Sequence, residues 1–252
     1  MSTSLLAGQP LLTPEFVHEA FSFGPPTGPR AARNNAPPFT RVVTDSRMIE
    51  PGCLFVAIQG DKFDGHDFIQ TALEKGATGI ICRKGTPVTP RKDLHLFFVE
   101  DTLLAYRKLG GAWRREFSIP VIAVAGSVGK TTTKEILSAI LRGKWPHVLK
   151  TEGSQNGFVG IPMTLLELRA EHGAAVVEVG IDEIGAMEQH MPIVGANASL
   201  LTAVAPEHME KLLDLPTVAR EEGIALSHVA QAGGTVAINM DDAWIRPHFT
   251  TI

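Results

Sequence analysis

Residues 126–135, "GSVGKTTTKE", follow the β-branched run Val121–Val124 and precede Ile136, Leu137 and Ile140 at helical spacing. The pattern predicts a buried strand, a tight turn and a helix starting near Lys130. Gly126 and Gly129 let the backbone turn sharply and approach a ligand. Helix-start N–H groups and the positive end of the helix dipole then point at one place, which suits an anion. Lys130 can neutralise outer phosphates and the Thr131 hydroxyl can ligate Mg²⁺, so the chemistry indicated is an ATP site. Val124 stands where the usual phosphate-loop pattern has its first glycine. The competing reading is an ordinary strand-to-helix turn that contains Gly-Lys-Thr.

Two further residues join this site if the surrounding elements are a parallel sheet. After residue 118 strand-like and helical patterns alternate: "HVLKT", a helix over 162–168, "AAVVEV", a helix over 184–190, "ASLLTAV", a helix over 216–230 and "GTVAIN". Repeated βα units imply parallel strands with helices on both faces, and ligands bind at the carboxyl ends of such strands. That places Glu178, near the end of "AAVVEV", and His208, past "LLTAV", on the phosphate-loop edge. A carboxylate inside an apolar run needs a partner, and a bound cation is the expected one. A lone histidine after a strand is more often structural than a ligand.

Before residue 118 the pattern differs. Thr13-Pro14 reads as an N-cap and first helical residue, and "GPPTGPRAARNNAPP" (24–38) as loop. Strands are expected near 41–44, 53–58, 78–82 and 94–99, with helices over 68–75 and 101–117. The expected fold is α/β in two domains, 1–117 and 118–252, the boundary falling at Ser118-Ile119-Pro120. A length of 252 residues, 44% hydrophobic and 20% charged, suits a globular chain with ample core. A net charge of −4 without a basic run argues against nucleic acid as partner. Cys53 and Cys82, each alone in an apolar run, read as reduced core residues of a cytoplasmic protein. The first residues lack both a basic n-region and a long apolar stretch, so neither a signal peptide nor membrane insertion is expected.

The motifs together resemble the Mur ligases, of the MurF type. The resemblance runs from about Thr13 to Asp242 and rests on "TDSR" (44–47), "GCLFVAIQG" (52–60), "FDGHDFI" (63–69), "GSVGKTTTKE" (126–135), "SQNGFVGIPMTLLEL" (154–168), "VEVGIDEIGAM" (177–187), "PEHMEKL" (206–212) and "INMDD" (238–242), in that order. It implies an ATP-dependent acid–amino-acid ligase of cytoplasmic peptidoglycan-precursor synthesis, joining D-Ala-D-Ala to UDP-N-acetylmuramoyl tripeptide through an acyl phosphate. It also implies that the N-terminal domain holds the UDP end of the substrate, through Asp45, Ser46, Arg47, Asp64 and His66. By residue type alone, "TDSR" equally suits a capped turn with a solvated arginine. The central domain would hold ATP on Gly126, Ser127, Gly129, Lys130, Thr131, Thr132 and Asn156. Thr131, Glu178, His208 and Glu222 would hold Mg²⁺, with Lys130, His208 and Glu222 in the catalytic set.

The chain departs from the family in places. Where the family carries a carbamylated lysine in the helix after the histidine loop, "VAREEGIAL" has Glu222, which supplies the same charge and two acceptor oxygens. Its plain alternative is a solvated helix charge beside Arg220 and Glu221. Ala125 replaces a common threonine. The family continues into a third domain that grips the incoming amine, and the 252 residues end before it. The expectations that follow are an inability to ligate alone and self-association at an exposed sheet edge. The alternatives are a non-catalytic homologue that keeps nucleotide or UDP-sugar recognition, and an unrelated phosphate-loop ATPase.

Overall fold

The computed structural model describes residues 11–21, 37–60 and 62–246. Most of the loop expected over 24–38 therefore lies outside the described residues. The chain divides into two compact units between Trp113 and Arg114.

The first unit opens with α1 (Pro14–Phe21), whose Phe16 N–H donates to Thr13 Oγ1 at 3.2 Å, the N-cap expected from Thr-Pro. Four parallel strands follow, β1 (Val42–Val43), β2 (Leu54–Val56), β3 (Gly79–Arg83) and β4 (His95–Val99), paired in sequence order. Helix α2 (Ile69–Glu74) crosses over between β2 and β3, and α3 (Thr102–Arg115) follows β4. Phe55, Ile80, Cys53 and Cys82 are buried on the sheet and Ala72 and Leu73 on α2, so both thiols are core groups. Burial raises both, Cys82 to about 11.

The second unit is a five-stranded parallel sheet ordered β6-β7-β5-β8-β9. Its strands are β5 (Val121–Ala125), β6 (Val148–Lys150), β7 (Ala174–Glu178), β8 (Ala198–Leu201) and β9 (Thr235–Ile238). Helices α4 (Lys130–Leu141), α5 (Gly160–Leu166), α6 (Ala186–Val194), α7 (Met209–Leu212) and α8 (Leu215–Gln231) connect them. All five residues of β7 are buried, as a central strand covered on both faces requires. The central position of β5 puts β7 on one side and β8 on the other. Register pairs Val124 with Glu178 and Ala125 with Leu201, so the carboxyl ends of three strands come level at Gly126. Among the described residues no helix is long and apolar enough to cross a membrane.

Candidate functional site

The loop after β5 is shaped by its glycines. Gly126 has φ +116° and Gly129 φ +86°, both in the region that disfavours L side chains. A Cβ on Gly126 would also lie 2.2 Å from Thr202 Oγ1. Thr202, just past β8, sits with its hydroxyl 2.7 Å from the Val128 carbonyl and 3.0 Å from that of Ala125, clamping the loop from the neighbouring strand. The Ser127 N–H donates to the Ala203 carbonyl at 2.7 Å, and the Gly126 N–H to Glu222 Oε2 at 2.7 Å. Gly129 is the N-cap of α4 and no side chain caps this helix. Its first-turn amides, beside the exposed Thr131 and Thr132, are thus presented to a ligand.

Lys130 folds back over the loop. Its ammonium donates to the Gly126 carbonyl at 2.5 Å and lies 3.6 Å from Glu207 Oε2. The Thr131 hydroxyl donates to Glu178 Oε2 at 3.0 Å, and Asn156 Nδ2 donates to Glu178 Oε1 at 2.8 Å. Gly180 leaves room for Asn156: a Cβ there would lie 2.9 Å from the Asn156 amide. Thr131, Asn156 and Glu178 therefore converge as the sequence reading expects.

The explanation expected for Glu178 changes. Its carboxylate is 1% exposed, and its cationic partner is in the chain: Lys134 Nζ lies 3.4 Å away and is itself fully buried. Lys134 also donates to the Gly153 carbonyl at 2.5 Å, tying the segment that carries Asn156 to α4. No bound cation is needed to account for a buried carboxylate here. Hard oxygens remain available nonetheless, because Thr131 Oγ1 and Glu178 Oε2 converge beside the uncapped helix start. That donor set fits Mg²⁺ shared with phosphate oxygens.

The other expected metal position is built differently. His208 adopts φ +46° at the N-cap of α7, its side chain is 49% exposed, and Nδ1 lies 3.9 Å from Glu210 Oε1. Glu222 is wholly buried in α8, so it is not the solvated helix charge of the plain alternative. Burial pushes its carboxyl up to about 8; Lys130 opposes the rise, whereas Glu207 adds to it as a like charge and as a hydrogen-bond partner. Glu222 Oε2 is taken by Gly126. Oε1, like Oε1 of Glu207, has no N–H or O–H donor. Among the described residues no three His, Cys, Asp or Glu side chains are gathered to hold a metal, so Glu178, His208 and Glu222 do not form a ready cage.

In the first unit the expected residues fall in two capped turns at the carboxyl ends of strands. Asp45 caps the 3-10 turn Ser46–Met48 through the Arg47 N–H, and its carboxylate grips the Arg47 guanidinium at 2.6–3.0 Å. These bonds from Arg47 lower Asp45 to about 2. Asp64 caps the turn Gly65–Phe68 and accepts from His66 Nδ1 at 2.5 Å. The Arg83 N–H donates to His66 Nε2 at 3.0 Å, which fixes the proton on Nδ1 and satisfies both ring nitrogens internally. Asp64 is lowered by the His66 backbone and side-chain bonds. Arg83, absent from the sequence reading, places its guanidinium 2.8 Å from Gln59 Oε1 and 3.7 Å from Asp64 Oδ2 at the same strand edge. Its position as the last residue of β3 was the available signal.

Residues 124–251, half of the chain, match the family model of the Mur ligase middle domain, and residues 38–108 match that of the Mur ligase family catalytic domain. The UDP-N-acetylmuramoyl-tripeptide–D-alanyl-D-alanine ligase of Synechocystis is 37% identical over 203 residues, 80% of this chain and 44% of that protein. The chain thus spans less than half of that relative's length. A crystal structure of MurF from Acinetobacter baumannii superposes with TM-score 0.81 at 28% identity, covering 95% of this chain and 51% of that one. The MurF ligase of Thermotoga maritima in complex with ADP gives TM-score 0.74 at 31% identity over 82% and 47%. With the phosphate loop, the Thr131–Glu178 contact and the capped turns in the motif order set out above, the chain belongs to the Mur ligase family.

Proposed function

We propose that the chain supplies the UDP-substrate and nucleotide modules of a MurF-type ligase, which joins D-Ala-D-Ala to UDP-N-acetylmuramoyl tripeptide at the expense of ATP. The observation that carries this reading is the convergence of the uncapped α4 start, Lys130, Thr131 and Glu178 at one sheet edge. The ADP bound by the Thermotoga relative is consistent with a nucleotide there.

In this reading the α4 amides and Lys130 receive the β- and γ-phosphates, and Lys130 exchanges its contacts with the Gly126 carbonyl and Glu207 for phosphate oxygens. Thr131 and Glu178 would hold Mg²⁺, which supplies neutralisation of charge between the phosphates. Asn156 and Lys134, both in contact with the Glu178 carboxylate, keep it aimed. The half-exposed His208 would be available to a substrate group. Phosphoryl transfer to the tripeptide carboxylate forms an acyl phosphate and ADP; the D-Ala-D-Ala amine then attacks the acyl carbon and inorganic phosphate leaves. The protein's part is positioning and charge neutralisation.

The first unit would take the uridine diphosphate end of the substrate at the carboxyl edge of its sheet. Ser46, Arg47 and Arg83 offer a hydroxyl and two cations. Asp45, Asp64 and His66 act by holding the two turns in place. The setting is the cytoplasm, where such precursors are made.

The test is phosphate release and labelled D-Ala-D-Ala incorporation, with UDP-muramoyl tripeptide present or absent. Binding of ATP and UDP-tripeptide, with phosphate released only when all substrates are present, supports the ligase reading. Binding without turnover supports a homologue that keeps recognition alone, and phosphate release from ATP without any acceptor contradicts both.

A further inference from the structure

We propose that Glu222 is a positioning residue of the phosphate loop, a buried carboxyl latch on the Gly126 amide, and not a ligand of a metal ion. The geometry is specific. Glu222 lies 96 residues from Gly126 in sequence, yet its Oε2 accepts the Gly126 N–H at 2.7 Å inside the protein. Gly126 follows Ala125, the last residue of β5, so its amide lies past the strand and needs a partner of its own. A buried N–H left without one is costly, and Glu222 supplies the acceptor.

The latch is mounted rigidly. Glu222 is 0% exposed in the seventeen-residue helix α8, among Val218, Ala219, Ala225 and Leu226, which are all buried. Glu207 is its acidic neighbour, and Oε2 of Glu207 lies 3.6 Å from Lys130 Nζ. Lys130 in turn donates to the Gly126 carbonyl. The first and last residues of the loop are thereby joined through one pair of carboxyl groups. The remaining oxygen, Oε1, has no hydrogen-bond partner, but it is wholly buried and a second carboxyl, Glu207, stands near Glu222, so the one hydrogen bond Glu222 makes is to the loop. Where the family resemblance implies a carbamylated lysine holding metal, this chain uses a carboxyl to hold the loop.

Part of the test rests on the nucleotide reading above and part does not. Glu222→Gln keeps an acceptor for Gly126 and can still donate to Glu207, whereas Glu222→Met keeps the volume and loses both. Amide exchange at Gly126, followed by NMR on metal-free and nucleotide-free protein, reads the latch directly. Protection should match wild type in Glu222→Gln and fall by about tenfold or more in Glu222→Met, with β7 amides unchanged. ADP affinity in EDTA should follow the same order, and the gain on adding Mg²⁺ should be the same in wild type and Glu222→Gln. Wild-type protection of Gly126 in Glu222→Met would overturn the proposal. So would a Glu222→Gln protein that binds ADP normally in EDTA but loses the Mg²⁺ gain, the signature of a ligand. If Glu222→Met does not fold, loss of Gly126 protection in Glu222→Gln overturns the proposal and its retention supports it. Failure of the wild type to bind ADP counts against the nucleotide reading alone, because Gly126 exchange still decides the latch.

Discussion

The Thr131 hydroxyl donates to Glu178 Oε2 at 3.0 Å, joining the first turn of α4 to the last residue of β7 across 47 residues of sequence. The contact follows from register: with Val124 opposite Glu178, the residue at the end of β7 must face the loop that leaves β5. It pairs a hydroxyl with a carboxylate where phosphate oxygens would complete a Mg²⁺ shell. Glu178→Gln should therefore reduce the gain in ADP affinity caused by Mg²⁺ at least tenfold, with a smaller effect in EDTA. Calorimetric titrations under the two conditions measure this, and equal losses in both would show that Glu178 serves only the fold.

The buried Lys134–Glu178 pair sets the second prediction. Removing one partner leaves an uncompensated buried charge, which costs about 3–5 kcal/mol. Lys134→Met should lower the urea midpoint accordingly. Adding Glu178→Gln should recover much of the loss, because the stranded carboxylate is then gone. Additive losses in the double variant would mean that the two side chains do not interact.

Gly126→Ala should fold poorly and bind no nucleotide. The substitution combines a positive φ with a Cβ 2.2 Å from Thr202 Oγ1, and backbone strain alone accounts for about 1–3 kcal/mol. Adding Thr202→Ala relieves the contact but leaves the φ strain, so stability should return only in part. Melting curves of the single and double variants check the order.

Glu222 also gives a pH signature. The groups facing it are Lys130, Glu207 and the Gly126 amide. Its carboxyl holds a proton up to about 8 when folded, against an ordinary value of 4.5. Below that ordinary value both states are protonated and the contribution is fully present. Between the two values the unfolded chain releases the proton more readily, so stability is lost as pH rises towards about 8. The stability difference between wild type and Glu222→Gln should shrink, or turn against wild type, across that window in urea titrations. A pH-independent difference would contradict the burial of an ionisable group at this position.

The phosphate loop was legible because its chemistry is local: glycines, a lysine and a threonine between a β-branched run and an apolar helix face. The parallel sheet needed only alternating βα patterns, and the carboxyl-edge rule put Glu178 beside the loop, where the register has it. Other parts depended on distance in space. Lys134, beside Glu135 in a helix, reads as a surface charge, and only the packing of α4 on β7 buries it. Glu207 and Glu222 are fifteen positions apart on either side of α7, so no spacing pairs them. Thr202 is one threonine after a strand, and its clamp on Val128 arises from the β5–β8 register. In the first unit, residue type left Asp45 and Arg47 open between ligand and capped turn. The structure shows the turn, with the guanidinium still 86% exposed.

In the proposed function the second unit binds nucleotide through Lys130, Thr131 and Glu178. The most direct measurement is calorimetric titration of wild type and Lys130→Ala with ATP in Mg²⁺, with circular dichroism confirming an unchanged fold. Wild type should bind saturably, one to one, and Lys130→Ala should not, because the ammonium that would face several phosphate oxygens is removed. Equal affinity in the two proteins would contradict it.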